Sequence, residues 1–261
     1  MNKQHTRPHI LVTNDDGITS TGLHALALAL QEVGDVTVVA PDRNWSISGH
    51  QKALERFLRA DPYEFPHAGI PAFISSSAPA DCVAMAFLGL LERKPDIVVS
   101  GINRGPNLGQ DITYSGTVAA TFEAAIFGYP AVAVSLDSHE AKANFDDAAQ
   151  VAATITRQVL ANGLPRHTLL NVNVPAIPAA EWQGITVTRL GLRDYSDDLI
   201  KKLDPRGRPY YWITGNVPGG DTETPDTDIW AVHHGYVSVT PIRLDMTDER
   251  LLKQVKEWGW T

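Results

Sequence analysis

Through Val174 the chain alternates short β-branched runs with segments whose apolar residues recur at helical spacing, and this alternation limits the possible folds more than any other feature. A strand, a helix and a further strand make a βαβ unit, and a series of such units builds a mostly parallel sheet. His9 to Thr13 (HILVT) reads as a buried strand. Leu23, Leu26, Ala27, Leu30 and Val33 then lie on one face of a helix that Thr19, Ser20 or Thr21 can cap. Asp35 to Ala40 (DVTVVA) is a second strand, ended by Pro41, which has no N–H to give a ladder. Pro79 to Leu91 is expected as a helix, Asp96 to Ser100 (DIVVS) as a strand and Thr117 to Phe127 as a helix. Ala131 to Ser135 (AVAVS), a helix over Phe145 to Leu160 and a strand over Leu169 to Val174 (LLNVNV) complete the series.

From Gly184 the character changes. Strand-like pieces (ITVTRL, YYWIT, YVSVTPI) are separated by polar stretches rich in Pro and Gly, Asp204 to Pro209 and Pro218 to Asp228. This part is expected to form an antiparallel extension or arm, with a short helix near Thr247 to Trp258. Such an arm would expose Tyr210, Tyr211 and Trp212 on a monomer, so a homo-oligomer is expected.

A chain of 261 residues with 43% hydrophobic residues can bury a full core. A single domain over 1–261 follows, with the core and active site in 1–180 and the extension in 181–261. A charged fraction of 20% excludes disordered and collagen-like classes. The formal charge of −8 has the wrong sign for coating a nucleic-acid backbone, so no DNA partner is expected. No apolar run is long enough to cross a membrane, and Met1 to Pro8 are polar with no apolar stretch behind them. One cysteine, Cys82, cannot form an internal disulfide, which fits a reducing cytoplasm.

Ligands of an open parallel sheet bind beyond the carboxyl ends of its strands, and there the polar residues collect. Asn14, Asp15, Asp16 and Gly17 follow the first strand; Asp42, Arg43, Asn44 and Ser46 the second; and Gly101 to Asn107 the DIVVS strand. A turn can bring both adjacent carboxylates onto one cation, and their repulsion favours it. Ligation by oxygen alone suits magnesium or manganese rather than zinc. Asp-Asp-Gly is also ordinary turn chemistry, and only the two further oxygen-rich loops on the same rim raise the site above a simple turn.

GINRGPNLG lacks both the dinucleotide-binding spacing and a Walker lysine. Tyr114, Ser115, Gly116 and Thr117, just before a helix, make a better anion cradle, although Ser and Thr there also serve as plain N-caps. His50 could line the cleft, whereas Asp81 and Cys82 look structural. No G-x-S-x-G elbow is present, and adjacent carboxylates favour two ligands over the single nucleophile of a D-x-D phosphatase.

The runs LVTNDDGITSTGLHALALAL, VVAPDRNWSISGH, SSAPADCV and PDIVVSGINRGPNLGQDITYSGTVAATFEAA, with LLNVNVP, DPRG-x-x-YYW and GYVSVTP further on, closely resemble the SurE family of stationary-phase survival proteins. The resemblance covers nearly the whole chain. It implies a Rossmann-like three-layer α/β sandwich with a mostly parallel sheet and a C-terminal β-rich arm used in a homodimer or homotetramer. It also implies a phosphomonoesterase that hydrolyses nucleoside 5'- and 3'-monophosphates to nucleoside and phosphate by a metal-activated water. One divalent ion per subunit (Mn, Mg or Co) would be held by Asp15, Asp16, Ser46 and Asn103. Phosphate contacts would fall on Asn107, Ser115, Gly116 and Thr117, with Asn14 close by. Asp16 is the first choice for assisting proton transfer, although the sequence does not separate it from Asp15 in that catalytic role. Trp45 stands where many members carry a basic residue, so no preference for longer phosphate chains is carried over. A nucleotide-dependent transferase and a non-catalytic nucleotide-binding stress protein are the alternatives.

Overall fold

The computed structural model describes residues 7–67, 69–215 and 219–260. The start of the polar N-terminus, residues 1–6, and Pro218 in the Pro/Gly-rich stretch lie outside the described residues. Strands β1 (His9–Thr13), β2 (Asp35–Pro41), β3 (Ala60–Pro62), β4 (Ala72–Ser75), β5 (Ile97–Arg104), β6 (Ala131–Asp137), β7 (Thr168–Pro175) and β8 (Gly184–Val187) are followed by β9 (Asp197–Leu203), β10 (Pro209–Gly215) and β11 (Tyr236–Arg243). Nine of them form one sheet in the order β3-β4-β2-β1-β5-β6-β7-β11-β8. The run from β4 to β7 is parallel, and β3 and β11 join antiparallel to their inner neighbours.

The central strands are predominantly apolar on both faces because both faces are covered. Ile10 and Val12 of β1 pack on one side, with Val38, Val99, Val132 and Val134, beneath α1 (Thr21–Gln31) and α4 (Asp146–Asn162). Leu11 points the other way, with Val39, Val98 and Ala133, beneath α2 (Pro79–Met85) and α3 (Gly116–Ile126). Each such side chain, fully buried, contributes about 2 kcal/mol. The expected α/β sandwich with a mostly parallel sheet is therefore what forms.

Four local differences have physical causes. The helix expected to Leu91 stops at Met85 and continues as a wider π turn over Ala86–Leu90, where Gly89 takes φ +131°. β3 and β4 carry no alternating pattern of their own and pair only because β2 offers an edge. The arm is smaller than expected: β8 and β11 belong to the main sheet, and only the β9–β10 hairpin forms a separate two-stranded sheet. Its β9, DDLIKKL, is too charged to read as a strand. The last difference is α5 (Asp228–His233), a short helix that starts where the Pro218 to Asp228 stretch ends, with no element expected there.

Asp228, fully buried at the start of α5, ties this C-terminal part to the middle of the chain. Its carboxylate accepts the backbone N–H groups of Gly109 at 2.8 Å, Gly191 at 2.7 Å and Ile229 at 2.9 Å. Asp228→Ala leaves three buried donors without an acceptor and should cost about 3 kcal/mol in urea unfolding. An unchanged midpoint would remove this residue from its bracing role.

Candidate active site

Two loops beyond the carboxyl ends of β1 and β2, and the last residues of β5 with the loop that follows, meet the first turn of α3. In the first loop Asn14 donates to the Gly17 carbonyl (3.1 Å) and to Ser20 Oγ (2.8 Å), and its Oδ1 accepts from Gly17 N–H (3.2 Å). Its amide is committed to the turn, which Gly17 closes at φ +98°. The second loop is bolted to the first, since Trp45 N–H donates to the Asp15 carbonyl at 2.7 Å and Ile18 N–H to the Pro41 carbonyl at 2.8 Å. Asn44 bridges two expected site residues: its Nδ2 donates to Asp16 Oδ1 (3.1 Å), and its Oδ1 accepts from Ser46 N–H (2.7 Å). β5 runs past the expected Ser100 through a bulge and pairs Asn103 with Ser135. At its end Arg104 N–H donates to Asp16 Oδ2 (3.3 Å), and Asn103 Nδ2 donates to the Gly105 carbonyl (2.8 Å), which leaves the Asn103 oxygen to offer.

The start of α3 lies directly against Asp15. Thr117 Oγ1 donates to Asp15 Oδ1 at 2.5 Å, and Ser115 caps the helix by accepting from Val118 N–H at 3.1 Å. A Cβ on Gly116 would sit 2.7 Å from Asp15 Cβ, so only glycine allows this approach. Asp15 is 3% exposed. Burial pushes its carboxyl up to about 6; the Asp16 charge adds to the rise and the Thr117 hydrogen bond opposes it. Burial also raises Asp16 above the usual carboxylate range.

Asp15, Ser46, Asn103, Asn107 and Ser115 line one cleft of about 460 Å³. Asp16 joins them through Asn44 and Arg104, while Gly116 and Thr117 form the wall behind Asp15. Asn107 is held by a polar cluster from two core strands, which the sequence marks only as strands and gives no part in the site. Its Nδ2 donates to Ser135 Oγ (2.8 Å), its N–H to Asn173 Oδ1 (2.8 Å), and its carbonyl accepts from Asn171 (2.8 Å) and Asn173 (3.0 Å). The signal for it sits in LLNVNV, where two asparagines at period two share one face of an otherwise apolar strand. Among the described residues no three His, Cys, Asp or Glu side chains gather into a metal cluster, so any cation here would be held by a mixed set of oxygens.

His50 takes a different place from the one expected. Its Nε2 lies 3.0 Å from Glu123 Oε2, and Lys52 Nζ lies 2.5 Å from Glu123 Oε1. Burial alone would raise this 1%-exposed carboxyl, but the two partners outweigh it and hold it below the usual range. The pair draws the loop that carries Ser46 down onto α3. Cys82 is buried, and burial pushes its thiol up to about 12, so it stays an unreactive core residue.

The family described as Survival protein SurE matches residues 10–197. The 5'-nucleotidase SurE of Chloroflexus aggregans is 49% identical over 253 residues, covering 97% of this chain and 99% of the relative. That of Geobacter sulfurreducens is 51% identical over 251 residues, covering 96% and 93%. The crystal structure of the SurE protein from Aquifex aeolicus superposes with a TM-score of 0.82 at 44% identity, covering 95% of this chain and 98% of that one. Likeness of this extent in both sequence and fold takes in nearly the whole chain, and we conclude that it belongs to the SurE family.

Proposed function

We propose that the protein is a 5'-nucleotidase, a phosphomonoesterase that releases phosphate from nucleoside 5'-monophosphates and, at the same site, from 3'-monophosphates. One observation carries this reading: Asp15, the buried member of the carboxylate pair, lies directly against Gly116 at the helix N-terminus that can cradle a phosphate. An anion held there faces Asp15 and Asp16, and a cation between them relieves the repulsion. The residues fit a hard divalent ion, because a buried carboxylate lies beside a second one and the Asn103 oxygen and Ser46 hydroxyl complete an oxygen-only set. Asp15, Asp16, Ser46 and Asn103 would hold it. When bound, such an ion neutralises charge on the phosphoryl oxygens and makes water a stronger nucleophile.

The remaining work falls to the chain itself. The backbone N–H of Gly116 at the start of α3 and the Ser115 hydroxyl bind phosphoryl oxygens, aided by the helix dipole. Thr117, fully buried with its N–H and hydroxyl both turned to Asp15, backs the cradle and does not line it. Asn107, fixed by Ser135, Asn171 and Asn173, presents its remaining amide hydrogen to the same group. The Thr117 hydroxyl orients Asp15, and Asn14 shapes the turn. Asp16, less buried than Asp15, takes the proton from water. The exposed Leu199, Tyr211, Trp212 and Ile213 on the β9–β10 hairpin support a homodimer or homotetramer. A cytoplasmic location fits the lone buried cysteine, and among the described residues no helix is long and apolar enough to cross a membrane.

The test is phosphate release from a panel of 5'- and 3'-nucleoside monophosphates with manganese, magnesium, cobalt or chelator. Release that requires a metal is expected. Nucleotide binding without release under any metal would favour a binding protein, and transfer to an acceptor without free phosphate would favour a transferase.

A further inference from the structure

The catalytic cleft has an aromatic rim that the phosphate chemistry leaves unused. Tyr114 and Tyr195 line the same cavity as Asp15, Asn103 and Ser115, although Tyr195 comes from a distant part of the chain. The two tyrosines differ in how they are held. Tyr195 donates its hydroxyl to Asp111 Oδ1 at 2.5 Å, and the other oxygen of Asp111 accepts from Arg193 Nε at 2.8 Å. The Arg193 side chain is 9% exposed, and Gln110 clasps its backbone, donating to its carbonyl (3.1 Å) and accepting from its N–H (2.9 Å). Tyr195 is therefore anchored at the tip of its ring while the residue stays 42% exposed. An aromatic face fixed in this way has little rotamer freedom left to lose when a ligand covers it.

We infer that Tyr195 is the stacking surface for the nucleobase, with Asp111 and Arg193 as the positioning residues that hold its ring. The inference rests on the nucleotidase reading. With phosphate at the start of α3, the sugar and base extend along the cleft, and the flat apolar surface available on its lining is an aromatic one. Stacking serves every base because each has a π face, so the subsite selects for the presence of a base more than for its identity. Purines, with the larger face, gain more than pyrimidines.

Three probes separate the contributions: adenosine 5'-monophosphate, ribose 5-phosphate, which keeps the phosphate and sugar but lacks the base, and adenosine, which lacks the phosphate. Tyr195→Leu should raise KM for the nucleotide about tenfold with little change in kcat, and leave the kinetics of ribose 5-phosphate as in the parent. Tyr195→Phe keeps the ring and loses its anchor, so its KM should fall between the two. Adenosine binding by calorimetry should weaken about tenfold in Tyr195→Leu and only slightly in Tyr195→Phe. Equal losses on both phosphate esters, or adenosine binding undiminished in Tyr195→Leu, would overturn the assignment. A parent protein that binds adenosine through Tyr195 but releases no phosphate would sink the nucleotidase reading and leave the stacking surface standing.

Discussion

Asp15→Asn should lower phosphate release by about three orders of magnitude, roughly 4 kcal/mol of transition-state stabilisation, while making the metal-free protein more stable at pH 8. The first effect follows from position. Asp15 faces the cleft, and amide for carboxylate removes a formal charge from the proposed cation site without changing its shape. The second follows from linkage. Burial, reinforced by Asp16 and opposed by Thr117, lifts the folded pKa from 3.8 to about 6, so the folded state holds this proton more tightly than the unfolded one. The stability this gives is fully present below pH 3.8 and is lost as pH rises through 6, about 3 kcal/mol in all. Asparagine does not ionise and escapes that loss, and its Oδ1 can still accept from Thr117. Thermal unfolding with chelator should therefore show variant and parent alike near pH 4 and the variant ahead at pH 8. A variant with full turnover at saturating metal would remove Asp15 from the site. A stability difference independent of pH would mean that its carboxylate is not buried as described.

Gly116→Ala should lower kcat/KM about a hundredfold and leave the unfolding midpoint almost unchanged. Gly116 has ordinary helical geometry, so alanine brings no backbone strain and gains about 1 kcal/mol of helix propensity. The cost is local. The new methyl would lie 2.7 Å from Asp15 Cβ, 3.0 Å from Asp15 Oδ2 and 3.1 Å from Ser48 Oγ. Ser48 can turn aside, but Asp15 Cβ sits on the backbone and cannot, so the first turn of α3 and the carboxylate must separate by several tenths of an ångström. Misplacement on the scale of 1 Å costs about 10²-fold in reactions that depend on alignment. Gly259→Ala, where an added methyl meets nothing within 4 Å, is the control. Unchanged kinetics in Gly116→Ala would show that the helix start and Asp15 need not touch.

Asp15 and Gly116 are also the kind of residue that a sequence makes legible. Both stand in short segments whose residue types declare their chemistry, each where a strand ends or a helix begins. The central strands are equally plain, because β1, β2, β5 and β6 are covered on both faces and are apolar at most of their positions. Partners far apart in the chain leave no local mark. Nothing around Glu123 announces His50, and nothing around Asp111 announces Tyr195. Asn14 shows the limit at a single residue: its type suits a phosphate contact or a turn, and only the atoms it reaches distinguish them. β9 is hidden for a related reason, since a hairpin open to solvent need not alternate apolar with polar residues.

The place of β11 has a consequence for how the chain is made. This strand lies between β7 and β8, antiparallel to one and parallel to the other, yet it leaves the ribosome after both. Until Tyr236–Arg243 emerges, the outer edge of β7 has no partner and β8 has no sheet to join. The nascent chain thus carries an open strand edge through the synthesis of the whole hairpin, and closure waits for β11. A ribosome stalled in that interval would hold a half-finished sheet of the kind that pairs with a neighbouring chain. For this fold, translation through β11 is a step in assembly.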